Sequence, residues 1–386
     1  MKMKPYFFNS LLIITFILNT SFISSQSLEL SWKLETESKI LGGPISDGQY
    51  VYLGNEKGTF YSIDINTGEI RWEINTEGKI QSKALLVDQM IFFESGNTFY
   101  AVDKYDGSQL WNYNLNSEPE KFTYSGVDYH FILDPYDDKH ASAVEQNGII
   151  YTATSYGEVI GLRVNTGEVA FKVTVPDQAP LRATPLLQEG RLYYGDWNGV
   201  VYCYDLTQEK LLWKRSTYRE KPYATFGGIA SEFTIHKGKL FFGARNHMLN
   251  VLWADDGQKE WTYTDPQGGW LIGDPVVDND TLYIGGSDNF SMLALDANDG
   301  RLLWKSTRKK NIYAKAIVTS NWVIYGAGNS YNPKDTGEIV ILNRKDGKVI
   351  NVYETSSSIF SAPLMVYNKY VVFGCNDGTI YSLMIN

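Results

Sequence analysis

Cysteine is scarce in this chain: Cys203 and Cys375 are the only two in 386 residues. So few cysteines exclude a disulfide framework as the source of stability. They also leave no C-x-x-C-H run to carry a haem. The four histidines, at 130, 140, 236 and 247, show no paired metal spacing. No G-x-S-x-G, P-loop or dinucleotide fingerprint occurs. A surplus of positive charge is also missing. The formal charge of −9 argues against nucleic acid or an anionic membrane as partner. Long apolar runs are confined to the first 25 residues.

Those residues differ from everything after them. Lys2 and Lys4 precede Leu11-Leu12-Ile13-Ile14-Thr15-Phe16-Ile17-Leu18, followed by the small residues Ser21, Ser24 and Ser25. Residues 1–25 read as a secretory signal peptide with cleavage near Ser24 or Ser25. The apolar part is too short for a span and Asn19-Thr20-Ser21 interrupts it. Removing Lys2 and Lys4 takes the charge from −9 to −11. No cysteine stands directly after the segment. The expectation is therefore an exported protein, periplasmic or secreted, and not a lipoprotein.

Aromatic residues, glycine and repetition are what the chain has in abundance. The stretch Val51 to Trp72 has two short β-branched and aromatic runs, Val51-Tyr52-Leu53 and Phe60-Tyr61-Ser62-Ile63-Asp64, then a Thr67-Gly68 turn into Glu69-Ile70-Arg71-Trp72. Such runs, bounded by Gly and Asn, predict antiparallel strands joined by hairpins. The pattern recurs along the chain, with Trp111, Phe171, Trp213, Trp261, Trp304 and Asn351 in the place of Trp72. The last copy stops at Tyr381 before its Trp strand, and Leu28-Glu29-Leu30-Ser31-Trp32 is a Trp strand with nothing before it. Ring closure joins the two. An additional strand before each copy is marked by a column of small residues: Gly42, Ser82, Ala141, Ala183, Ser231, Gly273, Ala314 and Ser361. The predicted fold is all-β, an eight-bladed β-propeller of four-stranded blades over residues 26–386, closed by the N-terminal strand completing the C-terminal blade. Strands are lettered A to D from the channel outward, and the small column is expected to begin strand A. Cys203 then falls on a strand C as a packed residue, and Cys375 falls in a B–C turn where it is expected to be exposed.

Loop lengths are uneven on one face only. The interval from the Trp column to the small column is 10 residues in four copies, 12 in two, 18 for Trp213–Ser231 and 30 for Trp111–Ala141. The B–C connection is long only between Ala327 and Glu338. D–A and B–C connections share a face, while the A–B and C–D turns opposite barely vary, so function is expected on the loop-rich side. The largest insert, 112–139, is rich in aromatics, Tyr124 and Tyr129 among them.

Two columns stand at the channel mouth on that side. One is Gly43, Lys83, Ser142, Thr184, Glu232, Asp274, Lys315 and Ala362. The other is Leu41, Gln81, His140, Arg182, Ala230, Ile272, Tyr313 and Phe360. Gln81, His140, Tyr313, Tyr124 and Tyr129 are candidates for a ligand or partner surface. The charged groups are expected to converge, either pairing with one another or binding a ligand.

The copies VYLGNEKGTFYSIDINTGEIRW and LYIGGSDNFSMLALDANDGRLLW resemble the repeats of pyrroloquinoline-quinone (PQQ) β-propellers over essentially the whole mature chain. That superfamily includes quinoprotein dehydrogenases and the non-catalytic propeller lipoprotein of the outer-membrane assembly machinery. The resemblance implies either a protein that binds a ligand or partner at the loop-rich face, or a PQQ-dependent oxidoreductase acting on an alcohol or sugar hydroxyl. For the second, Lys83, Arg182 and Lys315 would meet the carboxylates of PQQ and Trp270 would stack on it. Glu232 and Asp274 would hold Ca²⁺, or one of them would serve as catalytic base. No Ca²⁺ ligand or catalytic residue matches a family motif position by position. The adjacent cysteine pair typical of the alcohol dehydrogenases is absent, which favours the protein that binds a ligand, PQQ or another, or a partner without catalysis.

Overall fold

The computed structural model describes residues 27–115, 122–124, 127–129, 140–217, 228–229 and 231–386. The signal segment, the question of lipid attachment and Ala230 lie outside the described residues, as does most of the 112–139 insert.

Eight four-stranded antiparallel sheets form the ring. Blade 1 consists of Ile45–Ser46, Tyr50–Gly54, Thr59–Asp64 and Ile70–Asn75. Blades 2 to 7 follow in chain order with the same A-B-C-D succession. Blade 8 takes strands A to C from Leu364–Val366, Tyr370–Gly374 and Thr379–Ile385. Its strand D is Leu28–Glu35, which pairs antiparallel with Thr379–Ile385. The predicted closure is thus observed, and it removes two open edges. Strands B and C are buried on both faces, as in Val51, Tyr52, Val371 and Val372, because each blade is covered by a neighbour on either side. Strand D alternates exposed and half-buried residues, as in Ile70–Asn75.

The Trp column locks successive blades. Trp32, Trp72, Trp111, Trp213, Trp261 and Trp304 each donate their indole N–H to a carbonyl in the C–D turn of the next blade, at 2.8–3.1 Å. The rings lie against the turn glycines Gly68, Gly107, Gly167, Gly257, Gly300 and Gly347. A Cβ at Gly347 would stand 2.5 Å from the Trp304 ring, at a φ of +68°. The two exceptions are paired with exceptions. Phe171 faces blade 4, whose turn has Glu209 (φ 50°) in the glycine position. Asn351 faces blade 8, where strands C and D come from opposite chain ends and no C–D turn exists. Every strand D also skips one residue of register immediately before this column, for example at Arg71, Leu303 and Ser31. A bulge of this kind bends the strand and re-aims the side chain beside it.

Three sequence expectations need correction. Strand A begins about three residues after the small column, at Ile45, Leu85 or Val144 for example. Cys375 is fully buried in the core between blades 7 and 8, and burial pushes its thiol pKa up. Residues 112–114 continue strand D, which runs Gln109–Asn114, so the insert starts later. Cys203 is buried as expected, its pKa pushed up to about 11 by burial.

Gly347→Ala is expected to destabilise the protein by roughly 2 kcal/mol, combining a left-handed backbone cost with displacement of the indole. Trp304→Phe should cost about 1–2 kcal/mol by removing one buried donor. Urea unfolding followed by circular dichroism would measure both, and the double variant should cost less than their sum.

Candidate functional site

The small column brings neighbouring backbones together around the axis. A Cβ on Gly42 would lie 2.3 Å from the carbonyl oxygen of Ser82 in the next blade. In blades 5 and 8 the column serine is held by a glycine near the end of strand B. Ser231 Oγ accepts from Gly243 N–H at 2.7 Å and donates to its carbonyl at 3.0 Å. Ser361 does the same with Gly374.

On the D–A and B–C side the axis opens into a solvent-open recess. Lys83, Lys315, Glu232 and Asp274 line it together with Gln81, Ser142, Tyr313 and Phe360. The wall between the two lysines is made by Ala362 and Gly43. Lys315 Nζ meets Glu232 Oε2 at 3.3 Å. Asp274 is buried and accepts the N–H of Glu232 at 2.7 Å. The expected convergence of these four charges therefore occurs, and one pair is closed.

Arg182 and Trp270 are not among the lining residues. Arg182, 7% exposed, places its guanidinium 5.0 Å from the centre of the Trp197 ring. Burial and the like charge of Arg245 push its pKa down to about 9, against an upward pull from Glu94. Arg245, 2% exposed, lies 4.6 Å from the Trp270 ring and 5.7 Å from that of Trp197. Trp270 donates its indole N–H to His247 Nε2 at 2.9 Å. Leu41, Ile272, Tyr313 and Phe360 form an apolar cluster with Trp197 and Trp270 packed against it.

The remaining candidates are held by carboxylates or outside the described side chains. Gln81 donates to Glu56 Oε1 at 3.2 Å, and His140 Nδ1 is 2.8 Å from Glu94 Oε1. Tyr124 and Tyr129 belong to a two-stranded hairpin, Phe122–Tyr124 with Val127–Tyr129. The enlarged B–C connection of blade 7 raises Tyr331, 75% exposed, with its hydroxyl on Asp288 at 2.6 Å. Sequence reading missed Glu56, Glu94, Trp197 and Arg245. All four occupy B–C connections or the end of strand B, and the available signal was their position directly after the closing run of strand B. Among the described residues no group of three or more His, Cys, Asp or Glu could hold a metal ion, and no helix is long and apolar enough to cross a membrane.

The family described as outer membrane protein assembly factor BamB matches residues 24–128 and 197–383. The chain belongs to this family. Curated relatives carrying that name are distant. The protein of Yersinia pestis is 22% identical over 286 residues, 72% of this chain and 67% of the relative. That of Burkholderia pseudomallei is 21% identical over 371 residues, 88% and 82%. Among solved structures, BamB from Moraxella catarrhalis superposes with a TM-score of 0.68 at 16% identity, covering 93% of this chain and 98% of the other. Quinohemoprotein alcohol dehydrogenase from Comamonas testosteroni gives 0.70 at 12%, covering 92% and 76%. These structural likenesses establish the shared propeller fold.

The D–A connection that carries Trp270 is anchored at Asp265, a buried residue that accepts from Lys305 Nζ at 2.8 Å and Asn289 Nδ2 at 2.8 Å. Burial opposes ionisation of Asp265, but these donors and the Gln267 N–H outweigh it and hold the pKa below the usual value. A depressed carboxyl pKa stabilises the fold above the unfolded value, and the contribution is lost as pH falls through the folded one. Lys305→Met should cost about 2–3 kcal/mol at neutral pH, as expected for breaking a buried ion pair. In urea titrations at stepped pH, the difference between variant and wild type should shrink on acidification below the ordinary Asp range.

Proposed function

We propose that this protein is a non-catalytic propeller that captures a partner protein on its D–A and B–C face, in the assembly of outer membrane proteins that the name of its relatives describes. The observation carrying this reading is the concentration on one face of every enlarged connection, the half-buried Trp197 and Trp270, and the exposed Tyr331. Trp, Tyr and Arg are the side chains that most often anchor protein interfaces. Export through residues 1–25 to the periplasm belongs to the same proposal. A PQQ-dependent dehydrogenase is the second reading. It is favoured by Lys83 and Lys315 facing Glu232 and Asp274 across the recess. It is disfavoured by Arg182 and Trp270, which are engaged elsewhere.

Affinity capture from solubilised membranes separates the readings. Lys83→Glu with Lys315→Glu, or deletion of residues 118–136, should lower partner recovery at least tenfold while leaving the fold intact by circular dichroism. Unchanged recovery in both would reject this face as the docking surface. Saturable uptake of micromolar PQQ with Ca²⁺, coupled to dye-linked oxidation of alcohols or sugars, would instead establish the enzyme.

A further inference from the structure

Three residues of the column after the small one donate their backbone N–H to the side chain of their counterpart in the next blade. Lys83 N–H donates to Ser142 Oγ at 3.1 Å, Ser142 N–H to Thr184 Oγ1 at 3.0 Å, and Glu232 N–H to Asp274 Oδ1 at 2.7 Å. Asp274 N–H reaches the Tyr313 carbonyl at 3.1 Å. The series breaks where the ring closes. Lys315, Ala362 and Gly43, in blades 7, 8 and 1, are followed by Ala362, Gly43 and Lys83, none of which has an acceptor in its side chain. The N–H groups of these three residues meet no acceptor among the described residues. Thr184 N–H also meets none, but it is isolated across the ring and does not line the recess. Gly43 lies close against Ala362: a Cβ there would stand 3.0 Å from the Ala362 carbonyl oxygen and 3.5 Å from its nitrogen.

All three residues line the axial recess, flanked by Lys83. The Lys83 ammonium has no ion-pair partner among the described residues, whereas that of Lys315 is engaged by Glu232. A backbone donor left unmet in a partly desolvated place favours any ligand that supplies an acceptor. We propose that the recess binds a carboxylate, which takes the place of the side-chain acceptors missing from blades 8, 1 and 2. Asp274, which also lines the recess, favours a singly charged anion over a doubly charged one by repulsion. Leu41, Tyr313 and Phe360 beside the donors select an apolar substituent. The carboxylate comes either from a small organic acid or from the C-terminus of a polypeptide. The proposal goes beyond partner capture and does not depend on it.

The test is ligand-observed NMR titration of the full protein with phenylacetate, with an acetylated tripeptide ending in a free carboxylate, with its C-terminal amide, and with sulfate. Saturable binding of phenylacetate or the free tripeptide, but not of the amide or sulfate, is expected. Preference for the tripeptide identifies a chain terminus, and preference for phenylacetate identifies a free acid. Ala362→Ser gives Lys315 N–H an internal acceptor and Lys83→Gln removes the free ammonium. Each should weaken binding at least tenfold without lowering the thermal midpoint, and Lys83→Arg should retain it. No saturable binding by the wild type, equal affinity in both variants, or tighter binding of sulfate would overturn the proposal. A negative result in partner capture would leave these titrations unchanged.

Discussion

An indole ring lodged against a glycine turn is the contact on which the ring of blades depends. A single four-stranded sheet covered with Tyr, Phe and Val cannot shield both its faces, so each blade is stable only when its neighbours are in register. The Trp column sets that register with one hydrogen bond and one steric fit per interface. Glycine is required because its φ is positive and because any Cβ would enter the indole. The two interfaces without Trp are the two whose next blade lacks a glycine turn. At one of them Phe171 packs edge-on against Tyr204, with ring centres 5.2 Å apart. At the other, Tyr353 of blade 7 packs edge-on against Tyr381 of blade 8, with ring centres 6.2 Å apart.

This dependence separates scaffold from site. The Trp–Gly contacts lie on the outer rim, at the C–D turns. The opposite end of each blade is free of that constraint, and there the connections lengthen and the charged and aromatic side chains gather. The axial column illustrates the difference. It is held by hydroxyl and carboxylate caps through blades 2, 3 and 5, and it lacks them around the closure, where Ala362 and Gly43 keep the wall open. The family relationship agrees with a scaffold of this kind: a fold shared with dehydrogenases and an assembly factor leaves function to whatever the loop face presents.

The fold was legible because it is periodic. Eight copies of one pattern, each with a turn and most with a Trp, state blade number and strand order eight times over, and the orphan strand at Leu28 states the closure. The convergence of Lys83, Glu232, Asp274 and Lys315 was legible for the same reason, since equivalent positions of a ring must meet at its axis. Arg182 and Trp270 were misjudged as members of that group because their direction is set by contacts with Trp197, Arg245 and His247. These lie in B–C connections or the turns beside them, with no repeat to predict them. The bulge before every Trp, the burial of Cys375 and the short reach of strand A likewise depend on packing between blades.

Sequence by itself determined the element types, the blade count, the closure and the face on which the loops grow, since all of these follow from local pattern and spacing repeated along one chain. Tertiary structure alone decided which side chains share the recess, which charges are already paired, and which backbone donors are left without an acceptor. Those outcomes depend on what the neighbouring blade offers at the point of contact, and a neighbour in space about 40 residues away is not visible in local pattern.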